Sequence, residues 1–177
     1  MTSNSPYQAL SPSIDLPTIE HEILNFWQTQ DIFHQSVRAR AGGESWTFYE
    51  GPPTANGLPG THHIEARVFK DVFPRFHTMK GKQVIRKAGW DCHGLPVEIA
   101  VEKELGFSGK GDIEKYGIAA FNEKCRESVQ RHVDAFTSMT ERMGFWVDFD
   151  EAYWTMSNEY IESVWWSLAQ ILSLIHI

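Results

Sequence analysis

Three polar side chains at two Pro/Gly-rich loops are the residues of this sequence best suited to do chemistry. His62 and His63 are adjacent and follow a loop at 51–60 that contains three prolines and three glycines. Asp91 lies in a second loop bounded by Gly and Pro, at 88–96. Imidazoles can donate hydrogen bonds to phosphate oxygens, and a carboxylate can bind a cationic group such as an ammonium. The pattern indicates a site for a nucleotide and a small amine.

Each of these residues also has a simpler interpretation. The paired histidines can be ordinary surface residues, and Asp91 can be a turn or capping residue. A metal site is disfavoured, because adjacent residues point in different directions and no nearby spacing completes a tetrahedron. Cys92 and His93 do not make a nucleophilic pair, since catalytic partners must face each other in space. The residues by themselves therefore leave open that the histidines are surface residues and that Asp91 is a turn or capping residue.

Secondary-structure signals place both loops at the carboxyl ends of strands. An aromatic and β-branched run at 46–49 predicts a strand before the first loop, and residues 83–86 predict a strand before the second. Thr61 is a candidate N-cap for a helix after the first loop, and another helix is predicted from about 97 to 105. This alternation predicts an α/β fold with a parallel sheet, in which helix starts attract phosphates.

Helical patterns flank this unit on both sides. Residues 1–16 are expected to be a flexible lead-in, and 17–40 carry an apolar helical stripe that bends near Asp31. One long helix is predicted over 118–143, and Ser157 is expected to cap a further helix. The residues thus lead to a nucleotide-binding α/β domain with a second polar loop for a small ligand, and they name no reaction.

Composition limits the class of protein. The 177 residues carry a formal charge of −7, which disfavours a small, wholly basic nucleic-acid-binding module. Cys92 and Cys125 provide no disulfide framework and no C-x-x-C spacing. No stretch approaches the roughly 20 apolar residues of a membrane span, and the N-terminus does not resemble a signal peptide. We therefore expect a soluble cytoplasmic protein without a membrane partner.

Several segments together resemble class I aminoacyl-tRNA synthetases and, within that class, the isoleucyl enzymes. The resemblance extends over 17–171, in order and with matching spacing. It is carried by GPPTANG at 51–57, a His-bearing helix start, GWDCHGLP at 89–96, NEKCRES at 122–128 and YIESVWWSL at 160–168.

The resemblance implies a fold and a reaction. The fold would be the first half of a Rossmann-like parallel-sheet catalytic domain, with an N-terminal helical lead-in and a long helix. The reaction would activate isoleucine with Mg²⁺-ATP to an aminoacyl-adenylate and transfer the acyl group to tRNA. ATP with Mg²⁺ would be a substrate, and no protein-bound metal is predicted in this segment.

The resemblance also implies roles for individual residues. The amino-acid pocket would be lined by Gly51, Pro52, Trp90 and Asp91, and Asp91 would bind the substrate's ammonium. The ATP-binding residues would be Asn56, Gly60, Thr61, His62 and His63. The two histidines are the candidate catalytic residues, and His63 matches the last His of the family's H-x-G-H signature.

The signature itself departs from the family pattern. Gly60 stands where the signature has its first His, and His62 stands where it has Gly, so the motif reads Gly-Thr-His-His. Either His62 replaces the missing imidazole or the nucleotide site is weakened. We expect replacement, because the surrounding segments keep the family pattern.

The last residues leave the family pattern too. Residues 172–177 are interpreted as a truncation or frameshift tail, with Trp165, Trp166 and Leu168 as candidates for uncovered apolar surface. The family's lysine-bearing ATP loop, editing domain and anticodon-binding domain have no counterpart here. We therefore expect an inactive fragment of an enzyme that is monomeric at full length, with most tRNA contacts elsewhere.

Two other functions remain as alternatives. One is a non-catalytic module that binds a nucleotide or an amino acid and derives from a class I synthetase. The other is a ligase on the same fold that activates a different carboxylate. Binding of ATP or isoleucine by the purified 177-residue chain, together with cooperative melting, would support the first. Pyrophosphate exchange stimulated by another amino acid would support the second.

Overall fold

A computed structural model describes residues 13–175 of the chain. Most of the expected flexible lead-in, and the last two residues of the proposed tail, lie outside this range. Within it, Asp15 caps the first helix by accepting a hydrogen bond from the Thr18 amide. The last helix continues to Ile175, so most of the proposed tail is helical.

Eight helices and three strands are present in the described range. In chain order they are α1 (Leu16–Thr29), α2 (Ile32–Arg38), β1 (Ser45–Tyr49), α3 (Thr61–Met79), β2 (Gln83–Trp90), α4 (Leu95–Leu105), α5 (Lys110–Tyr116), α6 (Ile118–Gln130), α7 (Val133–Arg142), β3 (Asp148–Trp154) and α8 (Asn158–Ile175). None of these helices combines the length and apolarity that a bilayer crossing requires.

The strands form a parallel sheet in the order β1-β2-β3. The pairing of β1 with β2 confirms the predicted parallel α/β unit, since α3 connects them. The third strand was not predicted, because its sequence DFDEAYW is rich in carboxylates and lacks the alternation of a typical strand. Its register with β2 shifts between Lys87 and Gly89, so Gly89 pairs with Tyr153.

The helices correct two predictions made from the sequence. The helix expected over 118–143 is two helices, α6 and α7, that meet near His132. Apolar spacing did not detect this break, because the stripe continues in nearly the same phase on both sides. The N-cap of α3 is Gly60 rather than Thr61.

Other predicted boundaries are confirmed. The bend between α1 and α2 falls at Asp31, whose backbone is left-handed with φ of 50°. Ser157 accepts a hydrogen bond from the Tyr160 amide and so caps α8. The apolar side chains Trp165 and Trp166 are 68% and 67% exposed, as expected of uncovered surface.

The main core lies beneath the two Pro/Gly-rich loops. Its buried members are Ala55, Trp90, Cys92, Val97, Val129 and Phe136. Side chains from both loops therefore pack against α4, α6 and α7. A second cluster is formed by Ala88 of β2 with Phe145 and Val147, which lie between α7 and β3 in the sequence.

Candidate functional site

The two loops are hydrogen-bonded to each other at the carboxyl edge of the sheet. The Asp91 amide donates to the Pro53 carbonyl at 3.1 Å, and Thr54 and Asp91 form a parallel bridge. Further along, the side-chain amide of Asn56 donates to the Pro96 carbonyl at 3.4 Å. The first loop therefore continues the pairing of β1 with β2 beyond the regular strands and brings the predicted site residues of both loops together.

The Asp91 carboxylate is held in one orientation and remains partly exposed. One oxygen accepts a hydrogen bond from the Thr54 hydroxyl at 2.7 Å, and the other accepts from the His93 amide at 3.2 Å. Asp91 is thus a turn residue, as the simpler interpretation proposed. Since a carboxylate offers about four acceptor positions, it can still bind a cation.

His63 is fixed by the backbone at the start of α3. Its Nδ1 accepts a hydrogen bond from the Gly60 amide at 2.9 Å, which leaves Nε2 as the protonated nitrogen of the neutral ring. Burial, followed by the neighbouring His62 and Arg67, lowers the pKa of His63 below its ordinary value of 6.5. The imidazole is therefore a neutral hydrogen-bond donor through Nε2, suited to a phosphate oxygen.

His62 lies against the backbone of Gly60. A Cβ atom built on Gly60 would stand 3.1 Å from Nδ1 and 3.2 Å from Cε1 of the His62 ring. The same ring packs on His63, with centroids 3.8 Å apart. In this arrangement the imidazole of His62 occupies the space that a side chain at position 60 would enter, and Thr61 between them is exposed.

A chain of aromatic contacts joins the two halves of the site. His63 meets Phe136 edge-on at 4.8 Å, and Phe136 meets Trp90 edge-on at 6.3 Å. Because Trp90 directly precedes Asp91, the start of α3 and the second loop lie at the same edge of the sheet. The ring of Trp90 is only 2% exposed and belongs to the core, which limits its direct contact with any ligand.

Glu50 is a member of the site that the sequence did not reveal. Its side chain is 3% exposed, and one carboxylate oxygen lies 2.5 Å from Lys70 Nζ. Lys70 also donates to the Gly51 carbonyl at 3.2 Å, so this ion pair fixes the start of the first loop. In the sequence, the available signal for this ion pair was Lys70, because it lies seven residues after His63 and therefore on the same face of α3.

Gly51 and Pro52 lie next to this ion pair. Gly51 is exposed, and a Cβ atom added to it would be 3.5 Å from Lys70 Nζ. Pro52 is partly buried. The two residues thus form the surface of the first loop between the Glu50 ion pair and Asp91.

The described residues place the cysteines in a small cavity beside the second loop. This cavity of about 220 Å³ is lined in part by Cys92, His93, Glu98 and Cys125. Both cysteines are free thiols, and burial raises the pKa of each. A raised pKa keeps a thiol protonated and weakly nucleophilic. Among residues 13–175, no three His, Cys, Asp or Glu side chains are grouped to hold a metal ion.

Comparison with known proteins identifies relatives over nearly the whole chain. A family model described as tRNA synthetases class I (I, L, M and V) matches residues 22–176. The chain is 68% identical over 165 residues to an isoleucine–tRNA ligase of Cutibacterium acnes, covering 93% of this chain and 15% of that protein. It is 67% identical over 169 residues to the corresponding ligase of Thermobifida fusca, covering 96% and 16%.

A more distant relative and a solved structure agree with these matches. An isoleucine–tRNA ligase of Thermus thermophilus is 52% identical over 157 residues, covering 89% of this chain and 15% of that protein. The crystal structure of an Agrobacterium radiobacter LeuRS–tRNA–LeuAMS complex aligns with a TM-score of 0.64 at 19% identity, covering 89% of this chain and 18% of that chain. At that identity the structural match shows the fold alone.

The chain spans about 15–16% of the length of the curated relatives it matches. The family match nevertheless includes both loops, all three strands and every helix from α2 to α8. The chain therefore belongs to the family of class I tRNA synthetases that comprises the I, L, M and V enzymes.

Proposed function

We propose that this chain is part of an isoleucine–tRNA ligase and forms the first half of its aminoacylation site. The supporting observation is the direct hydrogen bonding of two loops that present Asp91 and His63 at one edge of a parallel sheet. The identity of 50–68% to isoleucine–tRNA ligases supports isoleucine as the amino acid.

The proposed reaction has two steps. In the first, a carboxylate oxygen of isoleucine attacks the α-phosphorus of Mg²⁺-ATP, the bond to the β-phosphate oxygen breaks, and pyrophosphate leaves. In the second, a terminal hydroxyl of tRNA attacks the acyl carbon and AMP leaves. The protein contributes by positioning the reactants and stabilising the charge that develops on the phosphates.

The amino-acid half of the site is assigned to the start of the first loop and to Asp91. The Asp91 carboxylate binds the ammonium of isoleucine, which fixes the direction of the substrate carboxylate. Gly51 and Pro52 line the pocket on the side of the first loop. Trp90 acts through packing, because its ring is buried among core side chains.

The nucleotide half is assigned to the end of the first loop and the start of α3. His63 donates from Nε2 to a phosphate oxygen, since its Nδ1 is already occupied by the Gly60 amide. His62 supplies the imidazole that position 60 lacks. The supporting observation is that its ring lies where a side chain at position 60 would enter. Asn56 and Thr61 complete the wall around the nucleotide.

Residues 1–177 alone are proposed to be inactive, because they cover a small part of the relatives' length. Most contacts with tRNA are assigned to parts of the full protein outside this chain, and the full protein is proposed to be monomeric. The alternative of a non-catalytic binding module would be favoured if the isolated chain melted cooperatively and bound ATP or isoleucine.

The test is pyrophosphate exchange by the full-length protein with single amino acids. Isoleucine is expected to stimulate exchange of radiolabelled pyrophosphate into ATP far more than leucine or methionine does. Valine, which lacks one methylene, is expected to be activated about 10–200-fold less efficiently. Exchange driven by a different amino acid would contradict the isoleucine assignment, and no exchange with any amino acid would contradict the ligase itself.

A further inference from the structure

Tyr153 links all three strands at the edge of the sheet that carries the candidate site. It is the residue of β3 that pairs with Gly89 of β2. Its hydroxyl donates a hydrogen bond of 2.6 Å to the backbone carbonyl of Glu50, the residue that follows β1. The contact joins positions 103 residues apart in sequence and ends at the residue immediately before the Pro/Gly-rich loop.

Gly89 provides the space for this arrangement. A Cβ atom on Gly89 would lie 2.3 Å from Cζ and 2.8 Å from the hydroxyl oxygen of Tyr153. The ring thus rests directly on the backbone of β2. It is also stacked on Tyr160 of α8 at 5.8 Å and meets Tyr49 of β1 edge-on at 6.3 Å. These contacts hold the ring in one position, in which its hydroxyl reaches the Glu50 carbonyl.

The hydroxyl remains a donor at physiological pH. Burial raises the pKa of Tyr153 above its ordinary value of 10, with further contributions from Tyr160 and Glu50. A protonated hydroxyl can donate to a carbonyl, whereas a phenolate cannot. Below pH 10 the hydroxyl therefore stays protonated and can donate to the Glu50 carbonyl.

Glu50 is held by two other elements as well. Its amide donates to the Lys87 carbonyl of β2 at 2.8 Å, and its carboxylate pairs with Lys70 of α3. Lys70 in turn donates to the Gly51 carbonyl. The backbone of Glu50 and Gly51 is consequently fixed by β2, β3 and α3 together, at the start of the segment assigned to the amino-acid pocket.

We infer that Tyr153 is a positioning residue for the amino-acid half of the site, acting through its hydrogen bond to the Glu50 carbonyl. This inference rests on the proposed function. Tyr153 does not contact the nucleotide residues: Gly60, His62 and His63 are held by their own hydrogen bond and ring contacts. Its loss should therefore affect isoleucine and leave ATP unaffected.

The test compares Tyr153→Phe with Tyr160→Phe in the full-length protein. Both changes remove one phenolic oxygen from the same pair of stacked rings, but of these two hydroxyls, in the described part of the chain, only that of Tyr153 donates to the Glu50 carbonyl. In isoleucine-dependent pyrophosphate exchange, Tyr153→Phe is expected to raise KM for isoleucine about three- to tenfold, the range of one hydrogen bond. KM for ATP should change less than about twofold, and Tyr160→Phe should match wild type.

A second measurement, hydrogen–deuterium exchange, reports directly on the backbone amides at the start of the loop. Deuterium uptake of peptides covering 49–56 should be faster in Tyr153→Phe than in wild type and unchanged in Tyr160→Phe. Active wild-type enzyme with equal KM values for isoleucine in both variants would overturn the role of Tyr153 while leaving the proposed function intact. A wild-type enzyme without isoleucine-dependent exchange would overturn the proposed function and this inference together.

Discussion

The two ends of the first Pro/Gly-rich loop are fixed in different ways. At its start, Glu50 and Gly51 are held by residues of β2, β3 and α3 that lie between 19 and 103 positions away in sequence. At its end, Gly60 and His63 are joined by a hydrogen bond between residues three positions apart. The proposed amino-acid end thus depends on assembly of the sheet, whereas the proposed nucleotide end is built largely within one helical turn.

Because of this difference, the two halves of the site depend on the stability of the fold to different extents. Distant contacts fix the start of the loop only when all three strands and α3 are in place. Local contacts at the start of α3 form whenever the helix forms. Changes near Glu50 should therefore reduce stability and isoleucine affinity together, and changes near Gly60 should act on the nucleotide with little effect on stability.

Replacing Asp91 with Asn should give the largest effect. The variant loses the charge that would pair with the ammonium of isoleucine, and kcat/KM for isoleucine in pyrophosphate exchange should fall roughly 30- to 1000-fold, or about 2–4 kcal/mol. KM for ATP should stay within about threefold of wild type. Asp112→Asn is the control, because Asp112, at the start of α5, also accepts hydrogen bonds from a nearby residue, Ser108, but lies outside the site. Equal losses in both variants would contradict the role of Asp91.

Replacing Lys70 with Met should give the second largest effect. Glu50 would be left buried without its cation, so the free energy of unfolding should fall by about 2–3 kcal/mol, and KM for isoleucine should rise. The control is Lys82→Met. Lys82 makes an ion pair of 2.7 Å with Glu44, which is 73% exposed, and its loss should cost less than about 1 kcal/mol. Chemical denaturation of both full-length variants measures the difference, and a Lys70 variant as stable as the control would show that Glu50 is not held as described.

Exchanging Gly60 and His62, as Gly60→His with His62→Gly, should give a smaller effect confined to the nucleotide end. KM for ATP and the affinity of inhibitors that occupy the nucleotide pocket should change roughly three- to tenfold, since one imidazole is moved by two positions. KM for isoleucine and the melting temperature should stay near wild type. Each single change serves as the comparison, and unchanged ATP kinetics and inhibitor affinity in the exchanged protein would remove the idea that His62 replaces the missing group.

The smallest effect is expected from pH. The pKa of His63 is lowered in the folded protein, so below pH 6.5 the unfolded chain takes up a proton before the folded protein does. Stability should therefore decrease as pH falls below 6.5, and it should be unaffected by His63 at higher pH. Comparing the melting temperatures of wild type and His63→Gln at pH 7.5 and 5.5 isolates this contribution. A wild-type protein that loses no more stability than the variant would contradict the neutral, backbone-bound imidazole.

Much of the local structure was predictable from sequence. The strand predicted at 46–49, the bend predicted near Asp31 and the Ser157 cap follow from residue types at adjacent positions. The break between α6 and α7 was not predictable, because it contains neither Pro nor Gly and the apolar stripe passes through it. β3 was missed because its carboxylates conceal a strand that is paired on one side and partly exposed.

The candidate site shows the same division. His62, His63 and Asp91 could be selected because they lie in or directly after rigid loops at predicted strand ends. Trp90 was selected with them, but its position in the core was decided by packing against Phe136 and other distant side chains. Glu50, Lys70 and Tyr153 were not selected, since their partners lie on other elements.

The amino-acid sequence by itself determined the two rigid loops, the helix start that presents His63, and the family to which the chain belongs. These features depend on backbone restrictions of Pro and Gly and on hydrogen bonds between neighbours, which are encoded over a few positions. Only the tertiary structure decided that Thr54 orients Asp91 and that Tyr153 reaches the Glu50 carbonyl across Gly89. Such contacts depend on the register of parallel strands, and that register is set by packing of the whole sheet.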